Sequence, residues 1–237
     1  MTNHTMHSKT TLSPVWPLAF LAIPVWAAQP CGDGPNTPLD IDYLGRCRPA
    51  PVSAANKVAV LATLPPEGEV GQLTPAQRAK LNDVVWVLRV YGRENVWEIK
   101  CIDVPQAWTG LHGRAVLLIS LPALNLLSLA ELQALVAHEA GHEYLLGDWL
   151  SARAAGDAAR LRDLEKLCDK IAVVGLIEVG RRPLDLARAI EKVYSYNCAR
   201  FGIALNEEHY PTPGQRRQSL MIFARRRTAA PRNISHH

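Results

Sequence analysis

The spacing of apolar side chains predicts helices and short strands in the first part of the chain and helices in the rest. Residues 74–91 carry apolar positions at intervals of three and four behind a Thr-Pro pair, which is typical of a capped helix. Two segments, 97–103 and 115–120, are rich in aliphatic and β-branched residues and are predicted strands. A short apolar run at 58–64 is a third strand candidate, and residues 105–114 are predicted to be a turn-rich connection.

The second half of the chain has the stronger helical pattern. Ser128, with Glu131 three residues later, matches a capping box, and the apolar residues that follow recur at helical intervals through Leu146. Further helices are predicted at 158–180, 183–199 and 215–227. The expected fold class is therefore α+β, with a small mixed β-sheet packed on helices.

The N-terminus has the pattern of a secretory signal peptide. An apolar stretch at 15–27, interrupted by two prolines, follows a polar start and ends in Val-Trp-Ala, an acceptable cleavage pattern. We expect residues 1–27 to be removed on export to the periplasm or the medium, leaving no membrane span; an uncleaved anchor is the alternative. A Pro- and Gly-rich lead-in at 28–57, one domain at 58–227 and a disordered tail at 228–237 complete the predicted organisation.

Composition adds little to this picture. The formal net charge is +4 at pH 7, and a diffuse charge of this size does not indicate nucleic-acid binding. Much of the positive excess lies near the C-terminus, where we interpret the basic side chains as solvated. These are Arg216, Arg217, Arg225, Arg226, Arg227 and Arg232.

The predicted export would allow the five cysteines to form disulfides, because disulfides persist in oxidising compartments. Cys31 with Cys47 and Cys168 with Cys198 are two candidate pairings. An odd count leaves one thiol over, and the connectivity does not follow from sequence. None of the spacings is typical of a zinc site built from cysteines.

The candidate chemistry centres on His138, Glu139 and His142, which form an H-E-x-x-H motif inside the helix that follows Ser128. Side chains four apart lie on one helix face, about 6 Å apart at their Cβ atoms. That spacing lets two imidazoles hold one zinc ion while the glutamate reaches the metal-bound water. The alternative is a pair of histidines on an ordinary helix.

A catalytic zinc site needs a third protein ligand from a facing element. The helix predicted at 158–180 offers Glu165 and Asp169, again four apart. We expect Glu165 to bind the metal and Asp169 to accept a hydrogen bond from the far nitrogen of a ligand histidine. Otherwise, Glu165 would pair with Arg162 or Lys166 on a solvated face. The zinc site is therefore predicted between these two helices.

Several motifs in order resemble one family. His-Glu-Ala-Gly-His at 138–142 and Glu-Lys-Leu-Cys-Asp-Lys-Ile-Ala at 165–172 resemble the H-E-x-x-H … E-x-x-x-D-x-x-A pattern of gluzincin metallopeptidases. Within them the chain is similar to HtpX, the CAAX prenyl protease and the Oma-type and BepA-like enzymes. Residues 209–217 resemble the T-H-P-x-x-x-x-R-I segment that closes the family pattern, and the resemblance covers roughly residues 70–224.

The resemblance implies one zinc ion per chain, with His138, His142 and Glu165 as ligands, Glu139 as catalytic base and Asp169 as support for a ligand. It also implies that His209 helps to bind the substrate or its oxyanion. This chain departs from the pattern there because Tyr210 lies between His209 and Pro211, so an ordinary loop histidine is the alternative. Members such as HtpX carry transmembrane helices. In this chain no segment beyond the leader is predicted to span a membrane, which favours a soluble form.

The predicted activity is hydrolysis of peptide bonds in protein or peptide substrates. We expect an extended substrate to pair with an edge strand formed by Ala115, Val116, Leu117 and Leu118. His112 precedes that strand and is either a cleft residue or a turn histidine.

Two other functions remain open from the sequence. One is a regulatory gluzincin that cleaves a single partner protein. The other is a zinc-stabilised chaperone or binding module of the cell envelope that cuts nothing. The presence of Glu139 disfavours the second alternative, because binding alone needs no base.

Overall fold

The computed structural model describes residues 38–64, 68–202 and 210–229. The predicted leader, Cys31, His209 and residues 230–237 lie outside these ranges. The described part is a mixed α+β structure, 66% helical with a three-stranded mixed sheet, which confirms the predicted fold class. None of its helices is both long enough and apolar enough to cross a membrane.

The secondary structure follows the predicted order with five additions: the short strand Thr109–His112 and the helices Ile41–Arg46, Ala54–Ala62, Leu121–Leu126 and Leu146–Ala154. The strands are β1 (Glu98–Ile102), β2 (Thr109–His112) and β3 (Val116–Ser120). A 3₁₀ helix spans Val85–Tyr91 and continues directly from the α-helix Pro75–Val84. The α-helices are α1 (Ile41–Arg46), α2 (Ala54–Ala62), α3 (Pro75–Val84), α4 (Leu121–Leu126), α5 (Leu129–Tyr144), α6 (Leu146–Ala154), α7 (Ala158–Glu178), α8 (Pro183–Phe201) and α9 (Pro213–Ala229).

The strand predicted at 58–64 is wrong, because this segment belongs to helix α2. The Ser53 side chain accepts a hydrogen bond from the Asn56 amide and caps the helix. Val60 is buried against Ala115, Val116 and Leu118 on one face of the sheet. A short apolar run has the same composition in a buried strand and in a helix that covers a sheet, so its pattern alone does not separate the two.

The sheet has the order β1-β3-β2, with β1 parallel and β2 antiparallel to β3. The predicted edge strand is therefore wrong: Ala115, Val116, Leu117 and Leu118 are buried in or beside the central strand. β3 forms hydrogen bonds on both sides, so its backbone has no free edge for another chain. Residues 68–70 pair with the C-terminal end of β1, whereas no further strand pairs with β2 within the described ranges, so β2 is the open edge.

Alternation along β3 divides the core between the two faces of the sheet. Leu117 and Ile119 join the large core that contains α5 and α7, whereas Val116 and Leu118 face α2. Helix α5 begins at the predicted capping box, in which Ser128 and Glu131 bond reciprocally. It is buried around most of its circumference because α7, α8 and the sheet surround it.

Helices α5 and α7 approach very closely at Gly141. A Cβ atom at this glycine would lie 2.7 Å from the Cα and 2.9 Å from the Cβ of Cys168. Real Cβ atoms do not come so close to a backbone, so only glycine allows this packing. The contact brings the metal-site motif on α5 within side-chain reach of α7.

The cysteines only partly follow the predicted pairings. Cys168 is a buried free thiol on α7, so the predicted Cys168–Cys198 disulfide is wrong. Cys168 instead turns towards α5, where Gly141 leaves room for it. Cys47 is disulfide-bonded, and its predicted partner Cys31 lies outside the described residues.

Candidate metal centre

The two histidines of the H-E-x-x-H motif project from one face of α5, as predicted. Their Nε2 atoms are 3.1 Å apart and the rings meet edge to face, with centroids 4.8 Å apart. His138 is buried, whereas the His142 side chain is 25% exposed. Solvent therefore reaches the pair on the His142 side.

Glu165 of α7 completes a three-residue cluster with these nitrogens. Its Oε2 lies 3.4 Å from Nε2 of His138, and its Oε1 lies 3.6 Å from Nε2 of His142. One donor atom from each of the three side chains lies within 4.8 Å of the others, so the cluster could hold a metal ion. The alternative in which Glu165 pairs with Lys166 is not observed, because Lys166 pairs with Asp163.

Asp169 lies where the sequence placed it, one helical turn beyond Glu165. Its Oδ1 is 2.9 Å from Nδ1 of His138, the nitrogen directed away from the cluster. A carboxylate at Nδ1 keeps a proton there and leaves Nε2 available to a metal. Asp169 is fully buried, so its negative charge needs compensation.

Arg216 of α9 supplies that compensation, and its predicted position in a solvated tail is wrong. Its Nε donates to Oδ2 of Asp169 at 2.9 Å, and its Nη2 lies 3.2 Å from Nδ1 of His138. Its side chain is only 12% exposed because α9 packs against α7 and α8. A buried arginine paired in two places with a carboxylate is a structural group, not a solubilising one.

The pKa values of the cluster reflect these contacts. Burial alone would raise the pKa of Asp169, but Arg216 and the hydrogen bond with His138 outweigh it and hold that pKa far below its ordinary value. Burial would also raise the pKa of Glu165, yet the two histidines and Arg216 lower it to about 2. Burial and Arg216 would lower the pKa of His138, but its hydrogen bonds to Asp169 and Glu165 raise it to about 9. Both carboxylates are thus ionised at neutral pH.

The outer nitrogen of His142 has a different partner. Its Nδ1 lies 3.5 Å from the Sγ of Cys168, within range of a hydrogen bond to sulfur. Burial, followed by the nearby charges of Glu165 and Asp169, raises the pKa of this thiol well above its ordinary value. The uncharged thiol is therefore a hydrogen-bond partner for Nδ1 of His142, on the side of the ring that faces away from the cluster.

Glu139, the predicted base, points from α5 towards the sheet. Its Oε1 accepts a hydrogen bond of 2.9 Å from the Oγ1 of Thr109 in strand β2. Both residues are buried. The open edge of the sheet therefore lies directly beside the carboxylate of the H-E-x-x-H motif.

Two further predicted residues have different outcomes. His209 lies outside the described residues, so its role stays a prediction. Its neighbour Tyr210 is 36% exposed, and its partial burial, followed by the charges of Glu165 and Glu139, raises the pKa of its phenol, which places it near the cluster. His112 is neither a turn nor a cleft residue. It ends strand β2, and its Nε2 is 2.9 Å from Oγ1 of Thr63.

The donor set fits a metal cation. Two imidazole nitrogens and one carboxylate oxygen converge, and the outer nitrogen of each ring has its own partner. Sequence reasoning missed Thr109, Cys168 and Arg216 in this arrangement. For Cys168 and Arg216 a signal existed, since each falls within a segment that resembles the family pattern. Thr109 has no motif around it.

No family model matches the chain, and no curated protein matches its sequence. The geometry of the cluster and the motifs of the sequence are therefore the grounds for a functional proposal.

Proposed function

We propose that the protein is an exported zinc-dependent endopeptidase of the gluzincin type. The observation that carries this proposal is the convergence of His138, His142 and Glu165, with the Glu139 carboxylate on the same helix. Two nitrogens and one oxygen form a typical ligand set of catalytic zinc, which keeps a further position for water. Export rests on the leader-like pattern of residues 1–27.

Each residue around the metal site has a separate role in the proposed reaction. His138, His142 and Glu165 would hold the metal, which when bound polarises the scissile carbonyl and lowers the pKa of its water to about 7. Asp169 and Cys168 fix the orientations of the two rings. Arg216 keeps Asp169 ionised and buried.

Glu139 acts as the general base. It takes a proton from the water as the oxygen bonds to the carbonyl carbon, and passes that proton to the leaving amine as the C–N bond breaks. The products are a carboxylate and an amine. His209, implied by the resemblance, is proposed to bind the substrate beside Tyr210.

The open edge of β2 suits an extended peptide substrate. The Ser120 amide donates to the Trp108 carbonyl at 2.9 Å, which makes these two residues a hydrogen-bonded pair of the antiparallel ladder. By alternation Gly110 and His112 also bond to β3, so the main-chain groups of Thr109 and Leu111 point outwards. A peptide that pairs with them would lie next to Glu139. The proposed substrate path therefore follows β2 instead of the central strand β3.

Two variants test the proposal together. Glu139→Gln is expected to retain one zinc per chain, measured by elemental analysis, and to lose cleavage of an unfolded protein such as casein. Glu165→Ala is expected to lose both the zinc and the cleavage. The matched control is Asp163→Ala on the same helix, whose side chain is 65% exposed and pairs with Lys166. It should keep zinc and activity.

The outcomes separate the alternatives. Full cleavage by Glu139→Gln would contradict the proposed mechanism. A wild-type protein that holds zinc but cleaves no protein substrate would favour the binding module. Zinc retained at full occupancy by Glu165→Ala would remove Glu165 from the ligand set.

A further inference from the structure

Thr109 and Glu139 form a buried contact between the open edge of the sheet and the H-E-x-x-H helix. The Thr109 hydroxyl donates to Oε1 of Glu139 at 2.9 Å. Thr109 is 9% and Glu139 8% exposed, so few water molecules can compete for this carboxylate oxygen. Nothing in the H-E-x-x-H motif requires this contact, which comes from the tertiary structure alone.

The strand geometry gives Thr109 two separate directions of contact. Its side chain lies on the face of the sheet that meets α5, where Leu111 and Leu117 also pack into the large core. Its main-chain N–H and C=O point away from β3, towards the open edge. One residue thus contacts the proposed base through its side chain and borders the proposed substrate path through its backbone.

We propose that Thr109 is a positioning residue for the base in the proposed peptidase reaction. Its hydroxyl fixes Oε1 of Glu139, so the carboxylate cannot rotate freely and Oε2 is the oxygen that accepts the proton from water. A peptide paired with the Thr109 backbone would hold the same residue in place.

This inference rests on the proposed function, and its test compares T109V with T109S. Valine has nearly the shape of threonine and the same β-branched preference for strands, but lacks the hydroxyl. We expect T109V to lower kcat by about 10- to 100-fold, as is typical when a group that orients a site residue is lost. KM and zinc content should stay unchanged. T109S retains the hydroxyl and should restore kcat to within a few-fold of wild type.

A merely structural role would not produce this pattern, because T109S removes a methyl group yet should be active. Equal kcat for T109V and wild type would overturn the role of Thr109 while leaving the proposed function intact. Activity of Glu139→Gln would instead overturn the proposed function. If T109V does not fold, T109A against T109S makes the same comparison.

A crystal structure of zinc-loaded T109V gives a readout that does not depend on activity. We expect the Glu139 carboxylate to rotate away from its wild-type orientation or to occupy more than one orientation. An unchanged, single orientation in the variant would overturn the inference without any measurement of activity.

Discussion

The sulfur of Cys168 lies 3.5 Å from Nδ1 of His142, opposite the nitrogen that faces the candidate metal centre. The thiol contacts Nδ1 of His142 in the same way that the Asp169 carboxylate contacts Nδ1 of His138. The two rings are thus oriented by chemically different partners, one a buried anion and the other a neutral sulfur. The difference has consequences for metal affinity.

Cys168→Ala is expected to weaken zinc binding by about 10-fold or more, because Nδ1 of His142 loses its partner and the ring can turn. Cys168→Ser restores a hydrogen-bonding group of similar size and should bind zinc within a few-fold of wild type. A competition titration with a chromophoric chelator measures both affinities. Equal affinities for Cys168→Ala and wild type would show that the sulfur contact does not orient His142.

The close approach of α5 and α7 predicts a large effect at Gly141. Gly141→Ala places a Cβ atom 2.7 Å from the Cα of Cys168, so the two helices must separate. We expect a loss of about 1–3 kcal/mol in the free energy of unfolding, as for other overpacked interiors. Urea denaturation of the metal-free protein measures it.

Gly45→Ala is the matched control for that measurement. Gly45 is an exposed residue in helix α1, and a Cβ atom added there meets nothing within 4 Å. Alanine has the higher helix propensity, so this variant should be neutral or more stable by up to about 1 kcal/mol. Similar losses in both variants would contradict the packing argument.

Arg216 and Arg217 are sequence neighbours with opposite surroundings. Arg216→Met leaves the buried Asp169 carboxylate without its cation and is expected to cost about 3–5 kcal/mol in the free energy of unfolding. Arg217 pairs with Glu191 at the surface, where its side chain is 52% exposed. Arg217→Met should therefore change stability by less than about 1 kcal/mol. Denaturant unfolding of the two variants side by side tests this, and equal effects would contradict the assigned role of Arg216.

The capping box of α5 predicts a specific pH dependence. Burial alone would raise the pKa of Glu131, but hydrogen bonds from Lys192 and from the amide and hydroxyl of Ser128 lower it below 4.5. A carboxyl with a lower pKa in the folded state adds stability above its unfolded pKa, and this stability is lost as the pH falls through the folded value.

Glu131→Gln isolates this contribution, because glutamine at the same position still completes a capping box. The difference in unfolding free energy between wild type and Glu131→Gln should be constant near neutral pH and shrink as the pH falls below about 4.5. In a Lys192→Met background the difference should be smaller near neutral pH, since Lys192 donates to Glu131 at 2.8 Å. A difference that grows towards acid pH would contradict the lowered pKa.

The elements with local signals were predictable from the sequence. Thr74 and Ser128 both begin helices through capping boxes, because the groups that bond in such a box are only three residues apart. The spacing of His138, His142, Glu165 and Asp169 likewise reflects helical periodicity, and these side chains do converge between α5 and α7.

The sheet was less predictable, because strand order depends on pairing between distant segments. The aliphatic run that ends in Ser120 is the clearest strand in the sequence because it is buried on both faces of the sheet. The same burial reflects its central position, so it is not an edge strand. Strand β2 is short and contains Gly110, so its composition resembles a turn. Its strand geometry comes from its pairing with β3.

The sequence by itself determined helices α3, α5, α7, α8 and α9 and the residues that can bind a metal, since those depend on contacts within a few turns. Only the tertiary structure decided their partners: Thr109 for Glu139, Cys168 for His142 and Arg216 for Asp169. Each of these contacts joins residues 26 to 47 positions apart on different elements. Periodicity along one element carries no information about such contacts, because they exist only once the elements have packed.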